Sequence, residues 1–332
     1  MTSTGGSGVR LDRRRFIAIA AAAGGSLLVP GLSRAGRLET ITWRGVVLGA
    51  EASLTLQHAD AAKAHEAIEA CLAEAARLER IFSLFDPESS IARLNATGVL
   101  EDAPADFRVL LSDALDLAQR SDGAFDPTIQ PLWALYARHF NQQGAARSGP
   151  ARAHIEAALS LVGWRNVFME GGRVRLLKSG MAVTLNGIAQ GYITDKVGDL
   201  LRARGFSHVL VNMGEQLALG PKGGGETWTI GISDPRSPDR VIEKLPVMGG
   251  AVATSGGYGC RFDPDGRFTH MLDPSTGAPA RQWASMTVVA ERAAIADGLS
   301  TALSIVPDPA RLLRDGVRAY GVPKGESVGF WL

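Results

Sequence analysis

Asp297 and Thr301 sit four residues apart in an otherwise apolar run, Ala296-Asp297-Gly298-Leu299-Ser300-Thr301-Ala302-Leu303. On a helix that spacing puts both side chains on one face. A carboxylate beside a hydroxyl offers hard oxygen donors suited to Mg2+, with carbonyls, waters or phosphate filling its other positions. In isolation the pair also reads as a helix-start aspartate and a threonine bonded back to its own turn. His270 and Asp273 lie in Thr269-His270-Met271-Leu272-Asp273-Pro274-Ser275-Thr276-Gly277, where a histidine or a carboxylate can take up a proton. A lone histidine is more often structural, however, and Asp-Pro-Ser-Thr-Gly is a good turn in its own right. Thr184-Leu185-Asn186-Gly187-Ile188-Ala189-Gln190-Gly191-Tyr192 brackets a turn with glycines and leads into a helix. The free amides there can hold a phosphate, or the segment is simply a tight turn. In Gly123-Ala124-Phe125-Asp126-Pro127-Thr128, Asp126 before proline is a helix N-cap pattern, and cap and ligand stand level. Ser255, followed by Gly256-Gly257, lacks the Gly-x-Ser-x-Gly setting of a hydrolase nucleophile.

The elements that must position these residues are legible from periodicity. Alternation at 50–57 predicts one or two strands over 40–57. Residues 61–82 form an amphipathic helix with Ala64, Ala67, Ile68, Cys71, Leu72, Ala75, Leu78 and Phe82 on its apolar face, which makes Cys71 a core residue. Further helices are expected at 105–121, 127–140 and 151–161, then a hairpin at 166–177 and a strand running into Leu185. A helix over 188–204 closes at Gly205. Strands follow at 208–212, 216–220, 228–233, 251–255 and 284–290, then a helix over 293–306, a short helix near 309–314 and two terminal strands. The pattern is one compact α+β domain over 36–332, with mixed sheets and packed helices.

Residues 1–35 read as an address. Arg13-Arg14-Arg15-Phe16-Ile17 and a mildly apolar run to Val29 make a twin-arginine export signal, with Ser33-Arg34-Ala35 offering a cleavage site. The run is too short for a comfortable membrane span of about 20 residues, although an uncleaved tether is the alternative. The remaining 36–332 chain is then expected in the periplasm. Lys+Arg 35 against Asp+Glu 34 leaves no electrostatic footprint for nucleic acid. The two cysteines, Cys71 and Cys260, are no disulfide framework and belong to no Cys/His zinc pattern.

Taken in order, these segments resemble the ApbE family of FAD:protein FMN transferases. The matching pieces are Leu48-Gly49-Ala50, residues 82–95, 123–131 and 185–195, Val211-Asn212-Met213-Gly214, and residues 253–257, 270–277 and 296–303. The resemblance implies a T-fold-like arrangement, Mg2+ as cofactor and FAD as substrate. It implies a partner flavoprotein, exported or membrane-bound, whose Thr or Ser hydroxyl receives FMN as AMP leaves. Asp297 and Thr301 match the family's metal ligands, and Gly187 and Ser300 match positions expected to lend carbonyls. Leu48, Phe85, Ala124, Phe125, Asp126, Thr184, Gln190 and Met271 match positions lining the FAD site, and Asn186 stands in the same turn. His270 matches a catalytic or substrate-orienting histidine, with Asp273 an alternative base. Leu48 stands where the family commonly has Met, Phe85 where it has an aromatic hydroxyl, Thr184 where it has Asp, and Gln190 where it has Lys or Glu. Two other readings use the same residues: FAD hydrolysis to FMN and AMP, and a non-catalytic exported flavin carrier.

Overall fold

A computed structural model describes residues 38–47, 49–326 and 328–332; residues 1–35, where an export signal is expected, and Leu48 lie outside the described residues. The alternating segment resolves into β1 (Glu39–Val47) and β2 (Ala50–His58), paired antiparallel from Glu39 opposite His58 to Val47 opposite Ala50. The helices are α1 (Ala61–Phe82), α2 (Ser90–Thr97), α3 (Ala105–Arg120), α4 (Gln130–Phe140), α5 (Arg152–Leu159), α6 (Ala189–Ala203) and α7 (Ala293–Leu303). The remaining strands are β3 (Val99–Leu100), β4 (Val167–Glu170), β5 (Arg173–Leu176), β6 (Val209–Asn212), β7 (Gln216–Leu219), β8 (Trp228–Asp234), β9 (Ser237–Val247), β10 (Gly250–Gly256), β11 (Trp283–Ala290), β12 (Arg318–Pro323) and β13 (Phe330–Trp331).

Eight strands form one antiparallel sheet in the order β1-β2-β6-β7-β10-β11-β12-β13. Side chains alternate across it, as a period of two requires. Leu217, Leu219, Ala251, Ala253, Met286, Val288 and Ala319 face the main core with α1, α6 and α7. Ala218, Val252, Tyr320 and Val322 face the other way, against Trp228, Ile230, Ile232, Leu245 and Val247 of the β8–β9 hairpin. Both faces of the sheet are thereby covered. A smaller sheet, β3-β5-β4, stands apart. The chain between β10 and β11 is long. It is anchored on α4 by Tyr136, whose hydroxyl donates to the Gly277 carbonyl at 2.8 Å.

Several elements differ from the sequence reading. α2, β3 and β9 were not expected, and 127–140 breaks into a 3-10 turn (Pro127–Ile129) followed by α4. No ladder pairs the stretch leading to Leu185. The Asn95 side chain takes the place of a neighbouring strand there, accepting from the Val183 amide at 2.7 Å and donating to the Val183 carbonyl at 2.8 Å. α7 stops at Leu303, short of residue 306.

Candidate active site

The first turns of α6 and α7 meet. A Cβ at Gly191 would lie 2.3 Å from the Ala293 carbonyl oxygen, so only glycine permits this approach. α7 carries no capping side chain of its own. Instead Asp195, one turn into α6, reaches across and accepts from the Ala293 and Ala294 amides at 2.8 and 3.0 Å, with Arg292 beside it. The α6 carboxylate thus serves as the N-cap of α7.

This junction frames a cavity of about 530 Å3. Phe85, Ala124, Phe125, Asp126, Thr184, Asn186, Gly187, Gln190, His270, Met271, Asp297 and Thr301 all line it, although they come from segments as far apart as residues 85 and 301. Asp297 is buried, and its Oδ2 accepts from the Gly191 amide at 2.9 Å. Burial holds its carboxyl well above the usual carboxylate range; the Gly191 amide opposes this and the Asp195 charge adds to it. The Gly187 backbone is packed against Thr301, whose Oγ1 would be 3.1 Å from a Cβ placed there. Ser255 joins the group, its Oγ lying 3.1 Å from Thr301 Oγ1 and 2.7 Å from Ser300 Oγ.

His270 lies across the cavity on the β10–β11 connection. Its amide donates to the Cys260 carbonyl at 3.1 Å, and Nδ1 meets the same oxygen at 3.1 Å. A carbonyl only accepts, so Nδ1 carries the proton and Nε2 is the basic nitrogen. Burial lowers the His270 pKa and keeps the ring neutral near pH 7.

Three calls change. Asp273 does not line the cavity. Its carboxylate accepts from the Ser275 amide and hydroxyl at 2.8 and 2.7 Å and from the Thr276 hydroxyl at 3.0 Å, so it builds its own turn. Ser300 is fully buried behind the cavity wall. Its carbonyl accepts from the Ser304 amide at 3.3 Å and hydroxyl at 2.8 Å, so it is engaged within the helix. The phosphate-binding turn is narrower than its sequence suggests. The Asn186 amide goes to Thr184 Oγ1, those of Ile188 and Ala189 go to Leu185, and that of Gly191 goes to Asp297. Within Asn186–Gln190, only Gly187 and Gln190 keep amides without a partner among the described residues.

Asp126 is both a cap and a cavity residue. It caps the following turn through the Thr128 amide and hydroxyl at 2.8 and 2.6 Å and fixes the Trp164 amide at 3.1 Å, while still bordering the cavity. Sequence reasoning passed over Glu215, Tyr258 and Trp133, which also line the cavity. None lies in a motif that marks it; only the fold turns them inward. Phe85, 79% exposed, stands between this cavity and a neighbouring one of about 810 Å3, which it borders together with Leu84, Asn186 and Gln190.

The sequence profile of the ApbE family matches residues 48–319. The chain belongs to the ApbE family. An ApbE relative from Treponema pallidum, FAD:protein FMN transferase, is 31% identical over 270 residues, covering 74% of this chain and 73% of that one. The crystal structure of the ApbE protein from Thermotoga maritima superposes with a TM-score of 0.77 at 32% identity, covering 89% of this chain and 96% of that one. The apo form of Pseudomonas stutzeri flavinyl transferase ApbE gives a TM-score of 0.76 at 30% identity, covering 89% and 95%.

Whether the ApbE site suits a divalent cation can be asked of its own atoms. Asp297 Oδ1 takes no partner among the described residues, and Thr301 and the Gly187 backbone stand beside it. No Lys or Arg is among the lining residues. Hard oxygen donors carrying an uncompensated negative charge fit Mg2+. No cluster of three His, Cys, Asp or Glu occurs among the described residues, so such an ion relies on hydroxyl, carbonyl and substrate oxygens as well.

Proposed function

We propose that the protein moves FMN from FAD to a Thr or Ser hydroxyl of an acceptor protein, releasing AMP, with Mg2+ as cofactor. The observation that carries this reading is the convergence of Asp297, Thr301 and Gly187 on one wall of a cavity in a chain of the ApbE family. The acceptor hydroxyl oxygen bonds to the FMN-side phosphorus as the bond from that phosphorus to the bridging oxygen breaks and AMP departs. Nε2 of His270 takes the hydroxyl proton. The Gly187 and Gln190 amides hold the phosphate oxygens. Asp297 and Thr301 would hold the cation with the Gly187 carbonyl. When bound, the ion neutralises charge on the phosphate oxygens, the main demand of phosphoryl transfer. Phe85 and the paired cavities offer an elongated cleft for a dinucleotide.

The acceptor is proposed to be an exported or membrane redox protein, and this chain to work in the periplasm. The support is the Arg13-Arg14-Arg15-Phe16 signature. Incubating the mature chain with FAD, Mg2+ and an acceptor domain tests the reaction. The acceptor should gain the mass of one FMN, and chelation should stop the gain. Free FMN and AMP with an unlabelled acceptor would point to hydrolysis, and unchanged FAD to binding alone.

A further inference from the structure

The electrostatics of the cavity are out of balance in a way the ligands so far named do not resolve. Glu215 sits in the turn between β6 and β7, and its side chain faces the same space as Asp297. The turn is held firmly. Asn212 Oδ1 accepts from the Gly214 amide at 3.1 Å, and the Glu215 carbonyl accepts from the Met213 amide and from the Thr194 hydroxyl of α6, both at 3.2 Å. Gly214 has φ +106, and a Cβ there would lie 2.7 Å from the Gln190 side chain, so the turn closes tightly on the start of α6. Burial raises the Glu215 carboxyl well above its usual range, and the Asp297 charge raises it further; the Thr254 amide opposes both. No Lys or Arg lines this space. Gln190, His270 in its neutral form and the other lining residues supply no cation. A diphosphate entering this space would bring further negative charge.

We propose that Glu215 is a positioning residue of the cation seat, supplying, directly or through a bound water, the second carboxylate that sets the affinity of the site for Mg2+. This rests on the cation site assigned under Proposed function. Two carboxyls facing one cavity offer a divalent ion hard oxygen donors, and the walls offer an entering diphosphate no other counter-charge. The backbone bonds from Thr194 and Met213 hold Glu215 in place before any ion arrives.

The test is a thermal-shift titration of the full mature chain with MgCl2 and no FAD, so that ion binding is read apart from turnover. Glu215→Gln keeps the shape and removes the charge. Its metal-free melting temperature should equal or exceed that of wild type, and the Mg2+ midpoint should rise roughly 10- to 100-fold, the usual effect of losing such a partner. Asp297→Asn should lose the shift. Glu215→Ala provides a second variant and should behave as Glu215→Gln does. If both Glu215 variants match wild type while Asp297→Asn loses the shift, the role of Glu215 is overturned and the cation site stands. If wild type shows no Mg2+ shift, both fall.

Discussion

At Asp297 one carboxylate oxygen is committed to the Gly191 amide and the other takes no partner among the described residues. Asp297→Ala removes the charge from the seat and leaves the helix intact. The expected outcome is loss of FMN transfer by about 100-fold or more at ordinary Mg2+ levels. Steady-state labelling of the acceptor across a Mg2+ series measures it. His270 carries the pH dependence. Burial lowers its pKa below the ordinary value of about 6.5, so the neutral base persists to mildly acidic pH. Activity should hold through neutrality and fall as pH drops through that lowered pKa and the ring gains its proton. His270→Ala should reduce kcat by roughly 100- to 10,000-fold and remove this acid limb from the pH profile.

The elements matter because the site exists only where two helix starts meet. Gly191→Ala would thrust a methyl group into the Ala293 carbonyl, and backbone on both sides leaves little room to yield. A loss of about 1–3 kcal/mol is expected, along with weaker Mg2+ binding as Gly187 and Asp297 are driven apart; chemical denaturation and the thermal-shift titration read the two effects. Asp195→Ala strips α7 of its cap. It should cost about 0.5–2 kcal/mol and leave Arg292 paired with Asp199 alone. Both helices were visible in the sequence as periodic runs. Their contact was not, because nothing in either run states which glycine lies under which carbonyl.

Across the whole molecule, Asp106 ties α3 to α1 and α6 by accepting from Arg77, Lys196 and the Tyr192 hydroxyl. Burial alone would raise its pKa, but the bonds from Tyr192, Lys196 and Arg77 prevail and hold it at about 2. A folded-state pKa below the unfolded value gives stability that is present above about pH 4 and lost as pH falls toward 2. Melting curves across that range should show the loss, and Asp106→Asn should flatten it. Cys71 and Cys260 are free thiols, the first on the buried face of α1 and the second exposed on the site loop.

The cavity residues from Phe85 to Thr301 were implied by the family resemblance; the hydrophobic periods and turn residues alone located most of the helices and strands, because local propensity and patterning act over short stretches. Tertiary structure alone decided how shared groups are spent. Asp273 serves its own turn, the Ser300 carbonyl serves Ser304, Asn95 takes a strand's place, and Glu215 turns in beside Asp297. The Asp273 and Ser300 bonds are local, but those of Asn95 and the placing of Glu215 join residues remote in the chain, and their outcome is set by distances that no single segment encodes.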